Sequence, residues 1–584
     1  MKKTGKKLWK TACAAALAAV ITLVPAASFA EMAAPPDGGS APGGGGGGGA
    51  DTQTYDYSGT LSGALSADGE EVTSDSAYTV ADTADQNAAL ASNGGTLKIT
   101  NGTLTKSGDD TNGDNCNFYG INSIALAVGE GSSMYISGSS LSADSEGSNG
   151  VFSTDNATAY VYNTSISTTA GNSRGLDATY GGSIIADSLT IATQGDHSAS
   201  LATDRGGGNI SVTNSALSTA GSGSPLLYST GRIEVSDVTG TATGSQIAGM
   251  EGLNTILIYN SDLTSTITGA TASDPVADGV IIYQSTSGDA DTSSGETALF
   301  QAVNSKLSSS IESGAMFYVT NTTARVILKD TELNFDSDSA KLLYIAGNDS
   351  NNWGSAGSNG GTVTFAAISE TLEGDITVDT ISSLDLYLED STTYTGAITI
   401  EENTNGSSDG SGITVNVDSG STWVVTGDST VTALNVADGG KVVDEEGNTV
   451  TVIADGSTVV EGTSSVTVTV SGSYSTSVEG TVEAEEASID RTAFDSYYGT
   501  STAITETASN ESGNDADTEA DAGADVTDET EGETGSSHTA AIVIAVVCAA
   551  ALVAILAAVK AKKGKGETEA GSRGTGDTQN EKDE

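Results

Sequence analysis

The sequence predicts an all-β chain that coils into a right-handed parallel β-helix, followed by one C-terminal transmembrane α-helix. Three observations predict this. A pattern of alternating apolar residues returns about every 25 residues, which is typical of a solenoid. The chain of 584 residues is rich in glycine, with 73, and aromatic residues make up only 5%. The stretch 540–559 is uncharged and mostly apolar.

The repeat has two phases, and each predicts a short strand. In the first phase, two apolar residues separated by one position precede a turn residue, which is Asn, Asp or Gly. Alternation with period 2 is typical of a strand with one buried face. Asn, Asp and Gly tolerate the left-handed backbone of a tight turn. Copies of this phase include Leu97-x-Ile99-x-Asn101, Met134-x-Ile136-x-Gly138, Ile210-x-Val212-x-Asn214, Ile233-x-Val235-x-Asp237 and Ile256-x-Ile258-x-Asn260.

The second phase places another short apolar run between these copies. Two or three short strands per coil stack best as a parallel β-helix, and the crossover rule makes it right-handed. We expect this β-helix to span residues 51–485. Two longer steps in the repeat predict inserted loops near 109–117 and 270–296. A solenoid core is one coil wide, so it needs fewer large apolar residues than a globular core.

The two ends of the chain predict segments outside the β-helix. Residues 1–30 combine early lysines, a short apolar run and small residues at Ser28-Phe29-Ala30, which predicts a secretory signal. Residues 31–50 are rich in glycine and predict a flexible leader. Residues 486–537 are acidic and rich in Ser and Thr, which predicts an extended stalk.

The apolar stretch 540–559 predicts a single membrane-spanning helix within residues 538–560. At 1.5 Å per residue, it reaches roughly 30 Å, the thickness of the hydrocarbon core. Lysines follow directly, so we expect the tail 561–584 to be cytoplasmic. The predicted partner is the lipid bilayer, and the predicted location is the cell membrane, with the N-terminal part outside. The lysines are Lys560, Lys562, Lys563 and Lys565.

Charge and cysteine content exclude several classes of function. The formal net charge is −55. Binding to phosphate backbones needs a basic surface, so we expect no nucleic-acid partner. Cys116 is the one cysteine between the predicted signal and the predicted span. The chain therefore has neither an internal disulfide framework nor a cysteine-based metal site.

Basic residues gather in the coils over 174–232. When coils are aligned on Leu176, Leu201 and Leu226, the fourth residue after each leucine is Tyr180, Arg205 or Thr230. Two interpretations stay open: charge pairing between turns of neighbouring coils, or a face that binds a ligand such as glycan. The candidate ligand-binding residues are Arg174, Asp177, Tyr180, Asp204, Arg205 and Arg232.

One acidic segment is loosely similar to a calcium-binding loop. It reads Asp289-x-Asp291-x-Ser293 and is followed by Glu296. The glycine and the final glutamate do not stand where an EF-hand needs them. A solvated insertion explains the same residues. We therefore expect no cofactor and no metal ligand, with Ca²⁺ as the open alternative.

The turn asparagines carry a resemblance to a known superfamily. In Val212-Thr213-Asn214-Ser215-Ala216-Leu217 and Ile258-Tyr259-Asn260-Ser261-Asp262-Leu263, the chain resembles the pectin-lyase-like right-handed parallel β-helices. Residues 421–429 look like late rungs of adhesin-like bacterial surface proteins. The resemblance covers roughly residues 95–470. It implies the fold more than the function, because one fold hosts many activities.

Three functions stay open. The first, which we expect, is an adhesin-like cell-surface protein that binds glycan or a host or matrix surface without catalysis. The second is a surface polysaccharide lyase or hydrolase, because some members of the resembled superfamily have these activities. The third is a structural spacer at the cell surface. Polygalacturonase-like motifs are absent, and His197 and His538 are the only histidines, so no catalytic residue is assigned.

Overall fold

A computed structural model of the chain gives the placement of most of the predicted β-helix. The predicted signal, leader and membrane helix lie outside the described residues, as do the tail and most of the predicted stalk. No helix within the described part is long and apolar enough to cross a membrane. The described residues are 53–290, 297–351, 353–406 and 412–506, and all belong to one compact unit.

The body is a stack of parallel strands, and this confirms the strand-rich solenoid that the repeat predicts. Each strand pairs with the equivalent strand one coil earlier and one coil later. Val151, for example, pairs with Ala125 on one side and with Leu176 on the other. The right-handed sense stays a prediction. In the described residues the helices are α1, Gly113–Tyr119, and α2, Thr492–Tyr498.

The first two sheets contain most of the strands. The first sheet consists of Gly63–Asp68, Asn87–Ser92, Ala125–Val128, Val151–Thr154, Leu176–Ala178, Leu201–Thr203, Leu227–Ser229, Ala248–Glu251, Asp278–Tyr283, Ala315–Thr320, Lys341–Ile345, Ile376–Asp379 and Ile398–Glu401. The second sheet consists of Glu71–Asp75, Thr96–Thr100, Ser133–Ser137, Thr158–Tyr162, Ser183–Asp187, Asn209–Thr213, Arg232–Ser236, Thr255–Tyr259, Ala298–Val303, Thr323–Lys329, Thr362–Ile368, Ser383–Glu389, Ile413–Val417, Ser429–Val436, Thr467–Ser475, Thr451–Ala454 and Ser457–Val460.

Two smaller sheets complete the coils. The third sheet consists of Tyr78–Ala81, Thr103–Lys106, Ser140–Ala143, Ser165–Thr168, Thr190–Thr193, Ala216–Thr219, Thr239–Ala242, Asp262–Ser265, Lys306–Ser309 and Glu332–Asn334. The fourth sheet consists of Thr371–Glu373, Thr393–Thr395, Thr422–Val424 and Lys441–Val443. In the second sheet the pairing is parallel except between Thr451–Ala454 and Ser457–Val460, which form an antiparallel hairpin at the C-terminal end.

The inward side chains of the coils form one thin, continuous core. In the second sheet, Ile210 and Val212 are fully buried, and so are Ile233 and Val235 one coil later. Burial of each such side chain contributes roughly 1.5–3 kcal/mol relative to exposure. The first phase of the repeat is therefore confirmed as the strands of the second sheet, with its apolar residues facing inward.

The turns that follow these strands take the left-handed backbone that the sequence predicts. Asn214, Asp237, Asn260 and Asn304 have φ angles of 50°, 57°, 49° and 49°. Asn and Asp accept this conformation more readily than other side chains with a Cβ. Neighbouring turns also bond to each other, since Asn304 Nδ2 donates to Asn260 Oδ1 over 2.7 Å. The polar turns thus reinforce the stacking of the coils.

One predicted alignment is wrong by a residue. Leu201 pairs with Leu227 and not with Leu226. The cause is the turn through Gly206 and Gly207, which holds one residue more than the turn one coil earlier, as the pairing of Ser183 with Asn209 shows. Both glycines have positive φ angles, 73° and 63°. The shift moves every later residue of this coil by one position relative to the predicted stack.

After the last coil, the chain turns back and lies along the outer face of the second sheet. We call residues 480–506 the strap. Val482 N donates to Glu389, Glu485 N donates to Gln301, and Tyr498 Oη donates to Ile136 O. The structure thus differs from the predicted stalk, 486–537, because residues 486–506 pack against the coils. Apolar side chains of the strap cover those of the second sheet that face outward; the covered ones include Leu257, Tyr259, Leu299, Val303, Ile327 and Ile368.

Candidate functional site

The outer face of the first sheet carries a cleft of about 300 Å³. Gly249 lies beside Tyr228 in one outward-facing column of paired strands, and its lack of a side chain leaves space next to the tyrosine ring. Part of its wall comes from the two inserted segments that the repeat predicts, through Asn117 of the first and through Ala272, Ser273, Asp274 and Asp289 in the described part of the second. Side chains in its lining include Phe118, Arg174, Asp204, Tyr228, Asp274 and Tyr283.

Arg174 binds two carboxylates at one end of the cleft. Its Nε atom lies 3.5 Å from Asp177 Oδ2, and its Nη2 atom lies 3.4 Å from Asp204 Oδ2. Its Nη1 atom donates to Asn117 Oδ1 over 2.5 Å. Asp177 is fully buried, and neither of its carboxylate oxygens has a hydrogen-bond partner among the described residues. One guanidinium group is therefore shared between two buried acids.

Burial raises the pKa of both carboxyl groups, although Arg174 opposes the shift. The pKa of Asp204 rises to about 7. The pKa of Asp177 rises well above its usual range, first because of burial and further because of the charge on Asp204. A single cation does not fully offset the loss of hydration of two acids. Both carboxyl groups therefore keep their protons to a higher pH than exposed aspartates do.

Arg205 lies beside the cleft and holds two of its lining residues in place. Its Nε atom donates to Asp289 Oδ1 over 2.5 Å. Its guanidinium carbon lies 3.6 Å from the centre of the Phe118 ring, a cation–π contact. Asp289, the first residue of the possible calcium loop, thus pairs with an arginine, while residues 291–296 lie outside the described part. Within that part, no group of three or more His, Cys, Asp or Glu residues could hold a metal ion.

Tyr180 has a structural position in the turn after Leu176–Ala178. Its φ angle is 45°. Its ring stacks on Tyr119 of helix α1, with centroids 5.6 Å apart, and meets Tyr55 edge-on at the same distance. Offset and edge-on pairs of this kind contribute roughly 0.5–1.5 kcal/mol beyond the area they bury. Tyr180 therefore fixes α1 and the N-terminal residues onto the coils and does not line the cleft.

Arg232 lies on a different sheet from the other candidates. It begins the strand Arg232–Ser236 of the second sheet, and its Nε atom donates to Glu234 Oε1 over 2.6 Å. Glu234 also accepts from the backbone of Ser488 in the strap, over 2.8 Å. Of the six predicted residues, Arg174 and Asp204 line the cleft, and Asp177 and Arg205 contact side chains that line it. Tyr180 and Arg232 lie elsewhere.

Two further carboxyl groups, which the sequence interpretation missed, lie at the other end of the cleft. Asp274 lines the cleft. Asp278 begins the strand Asp278–Tyr283 and is 1% exposed. Both oxygens of Asp278 and Oδ2 of Asp274 have no hydrogen-bond partner in the described ranges. Burial raises the pKa of Asp274 to about 7, and burial together with the charge of Asp274 raises the pKa of Asp278 well above its usual range.

Aromatic side chains form the floor between these two ends. Tyr228 Oη and Tyr283 Oη both donate to Glu251 Oε2, over 2.9 and 3.2 Å. The ring of Tyr283 stacks on Trp353, with centroids 4.2 Å apart. The second phase of the sequence repeat contains a feature that could have indicated these aromatic residues. A tyrosine interrupts its apolar runs at the outward position, as in Leu227–Ser229.

The chain matches no protein-family model, no curated protein and no solved structure. The resemblance to the pectin-lyase-like superfamily therefore stays a prediction. Function has to be argued from the cleft itself, which combines aromatic rings, two paired arginines and an excess of carboxyl groups.

Proposed function

We propose that this chain is an adhesin-like bacterial cell-surface protein that binds glycan in the cleft of its first sheet, without catalysis. The observation that supports this is the meeting of aromatic rings and buried charged groups in one depression. Sugar rings pack their C–H faces on aromatic side chains, and their hydroxyl groups bond to charged groups. A volume of about 300 Å³ is at the lower end of the range of ligand pockets, roughly 300–1,000 Å³.

The position of the cleft also supports binding. Its floor stands on strands that are hydrogen-bonded on both sides, so the rings are held before any ligand arrives. A site that is ordered in advance loses less entropy on binding. In this proposal the predicted span 540–559 anchors the chain in the cell membrane and leaves the β-helix outside, where a glycan of a host or matrix surface is accessible.

The test is binding of the full-length protein to an array of glycans. We expect binding that falls by about tenfold or more in Tyr228→Ala, because stacking area is lost, and that also falls in Arg205→Ala, because Phe118 and Asp289 lose their support. Lys306→Ala is the matched control, since Lys306 forms an exposed pair with Glu332 on the third sheet. Equal binding by all of these variants would exclude the cleft as the site.

One observation favours polysaccharide cleavage as a second candidate function. A carboxyl group with a pKa of about 7, such as Asp204, is partly protonated at neutral pH and suits a general acid. The check is incubation of the full-length protein with polysaccharides, followed by assay of new reducing ends and of unsaturated ends. Product that disappears in Asp204→Asn would favour this candidate over binding alone. Inertness in both the binding and the cleavage assays would leave the structural spacer.

A further inference from the structure

The charges in the cleft do not balance, and the imbalance is largest at one end. Arg174 is already shared by Asp177 and Asp204, and Arg205 is paired with Asp289. At the other end, Asp274 and Asp278 have no basic partner within the described residues. A negatively charged ligand would therefore be repelled at this end. A positively charged group would be attracted, because it would supply the cationic partner that the two carboxyl groups lack.

The hydrogen-bonding capacity of this end is also unused. Three carboxylate oxygens have no donor: Oδ2 of Asp274 and both oxygens of Asp278. A buried acceptor without a donor destabilises the fold by roughly 1–3 kcal/mol, and more when it is charged. A primary ammonium group supplies three N–H donors and one positive charge. It therefore matches this end in number of donors and in sign.

We propose that the ligand of the cleft is a saccharide with a free primary amine, whose ammonium group binds Asp274 and Asp278 while its ring packs on Tyr228 and Tyr283. This inference rests on the proposed glycan-binding function and names its ligand class. Asp274 lines the cleft, and Asp278 is buried close enough to be affected by its charge. Within the described residues, no group of three or more His, Cys, Asp or Glu residues could hold a metal ion, which favours an ammonium group over a metal cation as the occupant.

The proton equilibrium of the two acids is consistent with this ligand. The pKa of Asp274 is about 7, and that of Asp278 is raised well above its usual range. At about pH 5.5 the amine of the sugar is already protonated, so an ammonium group that binds the ionised carboxylates must release protons from them. An N-acetylated sugar carries no such charge, and its binding would release none.

The experiment measures binding of three probes to the full-length protein by titration calorimetry. The probes are a β-1,4-linked tetramer of glucosamine, the same tetramer fully N-acetylated, and a tetramer of galacturonate. We expect the amine form to bind at least about tenfold more tightly than the acetylated form, and the uronate form not to bind. Titrations in buffers of different ionisation enthalpy should show proton release for the amine form alone.

Variants separate the ammonium subsite from the rest of the cleft. Asp274→Asn and Asp278→Asn should remove the preference for the amine and its proton release, while weak binding of the acetylated tetramer persists. Both variants should fold, because each replaces an unpartnered acid with a neutral group of the same shape. Asp385→Asn is the matched control, since Asp385 is exposed on the second sheet. It should keep the full preference.

Each other outcome contradicts a defined part of the proposal. Equal or tighter binding of the acetylated or the uronate tetramer would overturn the inference and leave glycan binding intact. Binding of a lysine-rich peptide as tightly as the glucosamine tetramer would overturn the assignment to a saccharide. Absence of binding by every saccharide, with the variants folded by circular dichroism, would overturn the proposed function together with the inference.

Discussion

The outer faces of the first and second sheets both carry buried charged side chains, but among the described residues the buried carboxylate oxygens without a donor lie on the first sheet and in the loop before one of its strands. On the second sheet, Glu234 accepts from the backbone of Ser488 and Ile489, and Glu389 accepts from Val482. On the first sheet, oxygens of Asp278 and of its neighbours lack donors among the described residues. Since buried polar groups are normally satisfied, the first sheet is where an external ligand is expected.

The strap satisfies buried polar groups of the second sheet through the hydrogen bonds of one arginine. Arg491 is 5% exposed. It donates to the carbonyl oxygen of Ala186, to both oxygens of Ser211, to Thr213 Oγ1 and to Thr502 Oγ1, over distances between 2.7 and 2.9 Å. One side chain thus joins the strap to two neighbouring strands. Nothing comparable from the described chain reaches the cleft of the first sheet.

The largest loss of stability should come from removal of the Arg491 side chain. Arg491→Ala leaves several buried acceptors without donors, so we expect the free energy of unfolding to fall by about 3 kcal/mol. Urea unfolding measures this, and limited proteolysis should cut the strap earlier. Arg325→Ala is the control, because Arg325 makes a more exposed pair with Glu485; its loss should be below about 1 kcal/mol. Similar losses in both variants would contradict a specific role of Arg491.

The pH dependence of stability should reflect the raised pKa values of the acids in the cleft. The folded-state pKa values of Asp204 and Asp274, about 7, lie above their unfolded values, so the native state binds more protons. The contribution of these two groups to stability is therefore fully present below their unfolded pKa, at about pH 4, and is lost as the pH rises towards 7. Glu370, with a pKa of about 8, also contributes to the loss of stability as the pH rises.

Other titratable groups surround the two acids. Those facing Asp204 are Arg174, Asp177, Arg205, Tyr228, Glu251 and Asp289, and those near Asp274 are His197, Asp278, Tyr283 and Tyr318.

Thermal unfolding of the ligand-free protein between pH 4 and 8 measures this dependence. The double variant Asp204→Asn, Asp274→Asn should be less sensitive to pH than the natural chain. Asp385→Asn, on the second sheet, should leave the profile unchanged. A natural chain whose stability rises over this interval would contradict the raised pKa values, and with them the view that these acids are insufficiently paired.

A smaller effect is expected from the aromatic support of the cleft. Trp353→Ala removes the ring on which Tyr283 stacks, so Tyr283 should lose its fixed position without losing its own contact with a ligand. We expect affinity for the bound glycan to fall about threefold to tenfold. Trp423→Phe is a suitable contrast, since Trp423 is buried in the core at the fourth sheet. A change there should alter stability more than binding.

Much of the fold could be predicted because each coil repeats the same physical requirement. Inward residues such as Ile210 alternate with outward ones, and turn residues such as Asn214 need a left-handed backbone. Both kinds of residue therefore recur at regular intervals along the sequence. The strap lacks a period. Its acidic composition resembles a stalk, and the residues that fix it, Arg491 and Tyr498, bond to strands hundreds of positions earlier.

The candidate site was only partly predictable for the same reason. Arg174, Asp177 and Asp204 were found because the repeat stacks them in neighbouring coils. Arg232 was misplaced, because the turn between Leu227–Ser229 and Arg232–Ser236 is three residues shorter than the turn one coil earlier, so Arg232 already belongs to a strand of the second sheet. Asp274 and Asp278 lie in and after an inserted loop, where no repeat indicates what they face. Their importance follows only from burial and from missing donors, which are properties of the folded chain.

The most direct test of the contrast between the two faces is a crystal structure of the protein with the glucosamine tetramer bound. We predict that the amine nitrogen lies about 2.7–3.2 Å from carboxylate oxygens of Asp274 and Asp278, with the sugar ring on Tyr228. A tetramer bound outside the cleft, or these carboxylates satisfied by another segment of the same chain, would contradict the assignment of the first sheet as the face that receives a ligand.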